Sequence, residues 1–466
     1  MNSRAELVAA HSHPDASAQA GLRILRRIFS GFQGSLAARL WDGTTFRAGS
    51  GPAAFTLAFQ DPQVLRSLVL HRNSIDLADA YFRGRLEIEG DLYAALRLKA
   101  YFRDLHLDAA GRAALLLDAL RLPARAARPG GGPGMLDAIA GAFSYRHSRA
   151  SDRQAISYHY DLSNRFYSMW LDRQMVYSCA YFENPDDTLD QAQCHKLDLV
   201  CRKLRLAPGQ RLLDVGCGWG ALVCWAARHY GAIAHGITLS REQCEYARAR
   251  IAAEGLEGRA TVELRDYRDL PQERYDRVSS IGMFEHVGLA RHGLYNAAVH
   301  RALRPGGLFL NHGITHDEEG WNRRSIETQF INRYVFPDGE LDTVSNVQRG
   351  MERAGFEIHD VESLRPHYAL TLRRWVQRLE DAHEEAVREV GEMAYRIWRL
   401  YMAGCALEFE DGSTGVYQIL ASRRGAPGAP VPVPLTRDDL YRRPASTLTP
   451  TLSRSAGEGE RHRSDA

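Results

Sequence analysis

The sequence has no apolar run long enough to span a bilayer, no Cys-x-x-Cys pair and almost no net charge. The first absence argues against a chain that crosses a membrane as a helix. Its seven cysteines (179, 194, 201, 217, 224, 244 and 405) are odd in number and lack metal-ligand spacing. Neither a zinc site nor a disulfide framework is therefore expected, and reduced thiols suit a cytoplasmic protein. No signal peptide is read at the start, which agrees with that location. With 59 Lys and Arg against 57 Asp and Glu, the charge of +2 is too small for a nucleic-acid surface. What is present is 466 residues with 45% apolar content, enough for a large core and two or three domains.

The small charge is unevenly spread, since residues 1–150 hold 19 Arg and Lys against 13 Asp and Glu, a net +6. Residues 1–18 are small and polar and are expected to be disordered. Leu22, Leu25, Ile28, Phe29 and Phe32 then recur at helical spacing with Arg23, Arg26 and Arg27 between them. Such a basic amphipathic helix suits either an anionic membrane surface or packing on its own domain. Residues 19–122 form a smaller α+β unit, with a strand over 53–59 and a helix start at Asp61-Pro62. Residues 123–150 contain Arg128-Pro129-Gly130-Gly131-Gly132-Pro133 and read as a linker, while the tail 424–466 reads as disordered.

Residues 151–423 read as an α/β domain. Strands are expected at 211–215, 233–237, 261–265, 276–281, 308–312, 356–364 and 415–421. Helices are expected at 218–229, 240–254 and 292–303, with a helical insertion at 315–350 and a long helical stretch at 371–405. Alternation of this kind predicts a doubly wound sheet whose sites collect at the carboxyl ends of its strands. A tyrosine-rich lead-in, Tyr158-His159-Tyr160 to Phe166-Tyr167, precedes it.

The chain is organised around Arg211 to Gly220, an apolar strand followed by glycines 216, 218 and 220 and a helix start. Glycine there tolerates positive φ and lets a ligand lie on the backbone beside the helix N-terminus. Gly236-Ile237-Thr238-Leu239-Ser240 ends the second strand without the acidic residue that grips an NAD ribose. A dinucleotide is thereby disfavoured, and Asp-Val-Gly-Cys-Gly-Trp-Gly resembles the first motif of class I S-adenosylmethionine-dependent methyltransferases.

Five stretches in order extend the likeness: Tyr-Ser-Cys-Ala-Tyr (177–181), Leu-Leu-Asp-Val-Gly-Cys-Gly-Trp-Gly (212–220), Asp-Tyr-Arg-Asp-Leu (266–270), Gly-Met-Phe-Glu-His-Val-Gly (282–288) and Phe-Pro-Asp-Gly (336–339). Together they resemble the cyclopropane-fatty-acyl-phospholipid synthase family over about 150–420, and more weakly over 20–120. The resemblance implies a class I methyltransferase-like sheet with an N-terminal lipid-presenting domain. It also implies transfer of a methylene from S-adenosylmethionine to unsaturated acyl chains of membrane phospholipids, at the inner face of the membrane. A homodimer stays open.

That chemistry needs a water-poor site with aromatic faces, because methyl transfer to an alkene creates a carbocation that must lose a proton. Tyr167, Tyr177, Tyr181, Phe182 and Phe284 suit it, or are simply core. The resemblance implies that bicarbonate takes the proton, held by Cys179, Glu285, His312, Ile314 and Tyr368. Cys405, in Met-Ala-Gly-Cys-Ala, matches a cysteine once proposed as catalytic, but its apolar helix favours packing. By the same resemblance Tyr177, Ser178, Gly216, Cys217 and Gly218 hold the methionine part of the cofactor. Thr238, Ser240 and Gln243 meet the ribose, and Asp266 and Tyr267 border the adenine. Two rival readings are a methyltransferase that adds a branch without closing the ring, and a catalytically inactive lipid-binding protein.

Overall fold

A computed structural model describes residues 15–71, 74–124, 162–272, 274–317, 339–425 and 430–441. Nearly all of the linker, the start of the tyrosine-rich lead-in and Phe336-Pro337-Asp338 lie outside them. Seven strands form the main sheet: β5 (Arg211–Val215), β6 (Ile233–Thr238), β7 (Ala260–Leu264), β8 (Tyr275–Ile281), β9 (Leu303–His316), β10 (Phe356–Ser363) and β11 (Thr414–Arg423). They run in the order β10-β11-β9-β8-β5-β6-β7. β5 pairs in parallel with β6 and β8, while β11 lies antiparallel to β9 and β10. The chain leaves β5 toward β6 and β7 and then returns to the other side as β8. That reversal creates a crevice at the carboxyl ends of β5 and β8.

Local chemistry explains these elements. Leu212, Leu213 and Val215 are all buried, as expected for a strand covered on both faces. Helix Leu189–Lys203 starts at a capping box in which Thr188 and Gln191 satisfy each other's backbone amides. The long stretch expected at 371–405 is three helices, Arg365–Asp381, His383–Val390 and Glu392–Asp411. Gly391 at φ 82° cannot continue a helix and breaks the second from the third. β9 is longer than expected because it pairs with β11 all the way from Leu308 to His316.

The N-terminal unit has a second sheet, β2-β1-β3-β4, made of Leu36–Arg39 (β1), Thr45–Ala48 (β2), Phe55–Phe59 (β3) and Leu86–Gly90 (β4). Helix Ala16–Ile28 lies against it and begins inside the segment expected to be disordered, with Asp15 as its N-cap. Its apolar face is not open to a membrane. Ile24, Leu25 and Ile28 are buried in the unit's own core, and Arg23 and Arg27 bind Asp118 at 2.9 and 3.2 Å.

The two units share a core. Ile75, Tyr81, Phe82 and Leu92 pack into one cluster with Trp170, Trp375 and Trp398. Around it Arg396 Nη1 reaches Glu87 at 2.9 Å, Arg399 Nη1 donates to Tyr81 Oη at 2.9 Å, and Arg97 and Lys99 pair with Glu410 and Glu408. The tail also has structure before residue 442: helix Asp438–Tyr441 buries Leu440, and Arg437 holds Asp360 at 2.8 Å. A short apolar anchor with flanking charges carries too little local pattern to stand out in a polar tail.

Candidate active site

A cavity of about 130 Å³ opens at the crevice between β5 and β8, and its walls include Tyr177, Ser178, Gly218, Thr238, Gln243 and Met283. Gly216 and Gly218 have φ of 81° and 53°. A Cβ at Gly216 would lie 2.9 Å from the Met283 Cβ, whereas one at Gly218 would meet nothing within 4 Å. The first glycine is thus required by packing against the end of β8, and the second leaves backbone open to a ligand. Cys217 also lines the cavity and is buried, with its thiol pushed well up by burial.

The Val176–Ser178 segment forms the facing wall and is held from below by helix Leu189–Lys203. Gln193 Nε2 donates to the Ser178 carbonyl at 2.9 Å, and Lys196 Nζ donates to Ser178 Oγ at 3.0 Å. Asp172 accepts from the Val176 amide at 2.8 Å. Lys196 is 1% exposed and lines the cavity, as does Asp214, whose carboxylate takes a 2.6 Å bond from Ser279. Burial lowers Lys196 to about 8 and raises Asp214 to about 6. Sequence reasoning missed Lys196 and Gln193. Their signal is present, because both fall on the buried stripe of a helix where apolar residues belong.

At the end of β6, Thr238 Oγ1 donates to Gln243 Oε1 at 2.8 Å, and both side chains border the cavity. The Ser240 hydroxyl caps helix Arg241–Ala253 by accepting from the Gln243 amide, and Ser240 is not among the residues that line the cavity. The Asp266 carboxylate takes bonds of 2.8 and 2.6 Å from the Arg268 guanidinium. Tyr267 and Arg268, rather than Asp266, form that end of the cavity.

A second group of residues lies beyond β8. Glu285 is buried in a short turn, and its Oε1 accepts from the Ile314 amide at 2.7 Å. Burial raises its carboxyl to about 7, with the Ile314 bond acting the other way. His312 on β9 is also buried, which holds its imidazole neutral near pH 7. The Gln418 amide nitrogen lies 3.3 Å from His312 Nδ1 and, donating there, leaves the ring proton on Nε2. Glu285 Oε2 and His312 Nε2 have no hydrogen-bond partner among the described residues. Two buried polar atoms of this kind fit a small polar anion. The Ile314 amide, expected to serve that anion, is already engaged by Glu285.

Cys179 and Tyr368 are not among the residues lining the cavity and sit in an apolar cluster instead. The Cys179 thiol is oriented to the Leu364 carbonyl, one turn before Tyr368, and burial pushes it upward, away from a thiolate. Tyr368 packs against Phe409 with centroids 4.6 Å apart and the rings tilted by 40°. Cys179, Tyr368 and, at the margin, Ile314, Tyr177, Tyr181 and Cys405 belong to one apolar cluster with Tyr167, Phe182 and Trp219. Phe284 belongs elsewhere, stacked 3.9 Å from His292. Cys405 hydrogen-bonds to Tyr401, and burial pushes its thiol up to about 12, away from a thiolate.

These features agree with comparison to known proteins. The mycolic acid cyclopropane synthetase family matches residues 147–419, and a domain of unknown function matches residues 24–103. A probable fatty acid methyltransferase of Pseudomonas putida is 45% identical over 406 residues, covering 87% of this chain and 95% of its own. The cyclopropane-fatty-acyl-phospholipid synthase of Escherichia coli K12 is 39% identical over 266 residues, covering 57% of this chain and 66% of its own. Among solved structures, the mycolic acid cyclopropane synthase CmaA1 complexed with SAH and CTAB is 36% identical, covers 58% of this chain and 98% of its own, and has a TM-score of 0.55. The chain belongs to the mycolic acid cyclopropane synthetase family and is an S-adenosylmethionine-dependent enzyme with the class I methyltransferase fold.

Proposed function

We propose that the enzyme transfers a one-carbon unit from S-adenosylmethionine to the double bond of unsaturated acyl chains in membrane phospholipids and closes a cyclopropane ring. The observation that carries this reading is the pairing of a glycine-walled cavity with a separate buried carboxyl, Glu285, beside an aromatic cluster. The cofactor supplies an electrophilic methyl group when bound in the cavity. Gly218 lets it approach the backbone, Ser178 and Asp214 face its amino-acid half, and Thr238 and Gln243 face the ribose. The aromatic cluster excludes water and stabilises positive charge on the acyl chain. Glu285 takes up the departing proton, and His312, whose Nε2 carries a proton, donates to bicarbonate as the small anion held beside them.

A second reading, methyl branching without ring closure, is favoured by the name of the Pseudomonas putida relative and by that of a 37% identical relative from Mycobacterium tuberculosis, also a probable fatty acid methyltransferase. Both reactions add one methylene, but only the branched product keeps a carbon–carbon double bond. Calorimetry should show S-adenosylmethionine binding and no NAD binding, and lipids from expressing cells should gain a methylene with loss of the double bond. NAD binding alone would overturn the class. A retained double bond would favour the branching reaction.

The bilayer contact suggested by the first helix is reassigned to helix Ala109–Arg121, where Leu116, Leu117 and Leu120 are 45%, 58% and 59% exposed. Beside them Arg23, Arg27 and Arg121 share the single carboxylate of Asp118, which leaves surplus positive charge. Sedimentation with vesicles should show binding to anionic lipid that weakens with salt and with Leu117→Ser/Leu120→Ser. Equal binding of the variant, or of neutral vesicles at high salt, would count against this face.

A further inference from the structure

We infer that Lys196 selects the carboxylate of the cofactor's amino-acid half, by carrying a buried positive charge under the cavity and by fixing the Ser178 hydroxyl. This rests on the cavity being the S-adenosylmethionine site. Lys196 is the cation beneath the Val176–Ser178 wall: it is 1% exposed, lines the cavity and makes one side-chain bond among the described residues, 3.0 Å to Ser178 Oγ. An ammonium has three donors, so two remain for a ligand or its waters. Asp172 and Asp214 act on it electrostatically, but neither is in hydrogen-bond contact with it among the described residues.

The arrangement divides the work at the amino-acid end. Asp214, held by Ser279 at 2.6 Å, offers negative charge toward a ligand ammonium, while Lys196 and Ser178 offer donors toward a carboxylate. Placing the charge on the helix below the loop also explains Gln193, which ties the Ser178 carbonyl to the same helix at 2.9 Å and fixes the loop over the lysine. A buried lysine serving only the fold would have found a close carboxylate, as Lys203 does with Glu362 and Asp360.

The test compares two probes, S-adenosylhomocysteine and its decarboxylated amine, which differ only in the carboxylate. Lys196→Met should weaken S-adenosylhomocysteine by about 10-fold to 100-fold, the usual size of a charge-assisted bond. The decarboxylated amine, freed from a neighbouring positive charge, should bind equally well or better. Equal losses for both probes, or none for either, would overturn the inference. If the wild-type chain binds neither probe, the cavity assignment fails instead. Should Lys196→Met not fold, the wild-type chain still decides: burial lowers Lys196 to about 8, so raising the pH from 7 to 9 should reduce preference for the carboxylate-bearing probe, by about 10-fold. A preference constant over that range would also overturn it.

Discussion

Glu285→Gln is expected to lower turnover by about 100-fold to 10,000-fold, the range typical of losing acid–base help, while binding of S-adenosylmethionine survives. Glutamine keeps the size of the side chain and its carbonyl can still accept from the Ile314 amide, which Glu285 holds at 2.7 Å. What it loses is the capacity to take a proton. Burial raises the carboxyl to about 7, so the proton-accepting form grows as pH rises through that value. Wild-type turnover should therefore climb between about pH 6 and 8 and then level, and the climb should vanish in the variant. A variant that binds cofactor normally and works at the parent rate would make Glu285 structural and the proposed proton transfer wrong.

The second large effect concerns stability. Trp170 is fully buried, with ring centroids 5.3 Å from Tyr177, 5.4 Å from Trp398 and 5.5 Å from Trp375. Trp170→Ala removes the centre of this cluster and is expected to cost about 3–5 kcal/mol, the sum of lost burial and an unfilled cavity. Denaturant unfolding should show a lower midpoint. The Michaelis constant for the cofactor should also rise, since Tyr177 lines its cavity and leans on the removed ring. An unchanged midpoint would mean that these rings do not support one another.

The sheet was readable in the sequence because β5 is a short apolar run ending in a glycine turn and because strand-like and helix-like segments alternate after it, even though β8 itself carries Asp276, Arg277, Ser279 and Ser280. The same holds for the glycine turn and for Glu285, which follow their strands directly. The partners were not readable. Ser178 meets Lys196 only because a capped helix passes beneath the loop, and His312 meets Gln418 only through the β9–β11 register. Such pairings depend on how distant segments stack, and no local spacing records them. Ser240 and Asp266 also have local partners that their spacing does not record, a helix end for one and a neighbouring arginine for the other. Leu440 escaped notice because one buried residue in a polar tail leaves no period.

The seam between the two units bears on how such chains can be recombined. Sequence composition would put the cut between modules at the linker, within 123–150. The contacts put it elsewhere: Glu87 with Arg396, Tyr81 with Arg399, Arg97 with Glu410 and Lys99 with Glu408 all join the N-terminal unit to helix Glu392–Asp411. That helix also carries Tyr401, which hydrogen-bonds to Tyr177 at the cavity wall. A chimera grafting a foreign N-terminal unit at the linker would inherit mismatched charges on a helix one bond from the cofactor. The exchangeable module is thus the N-terminal unit together with the face of a helix nearly three hundred residues further on.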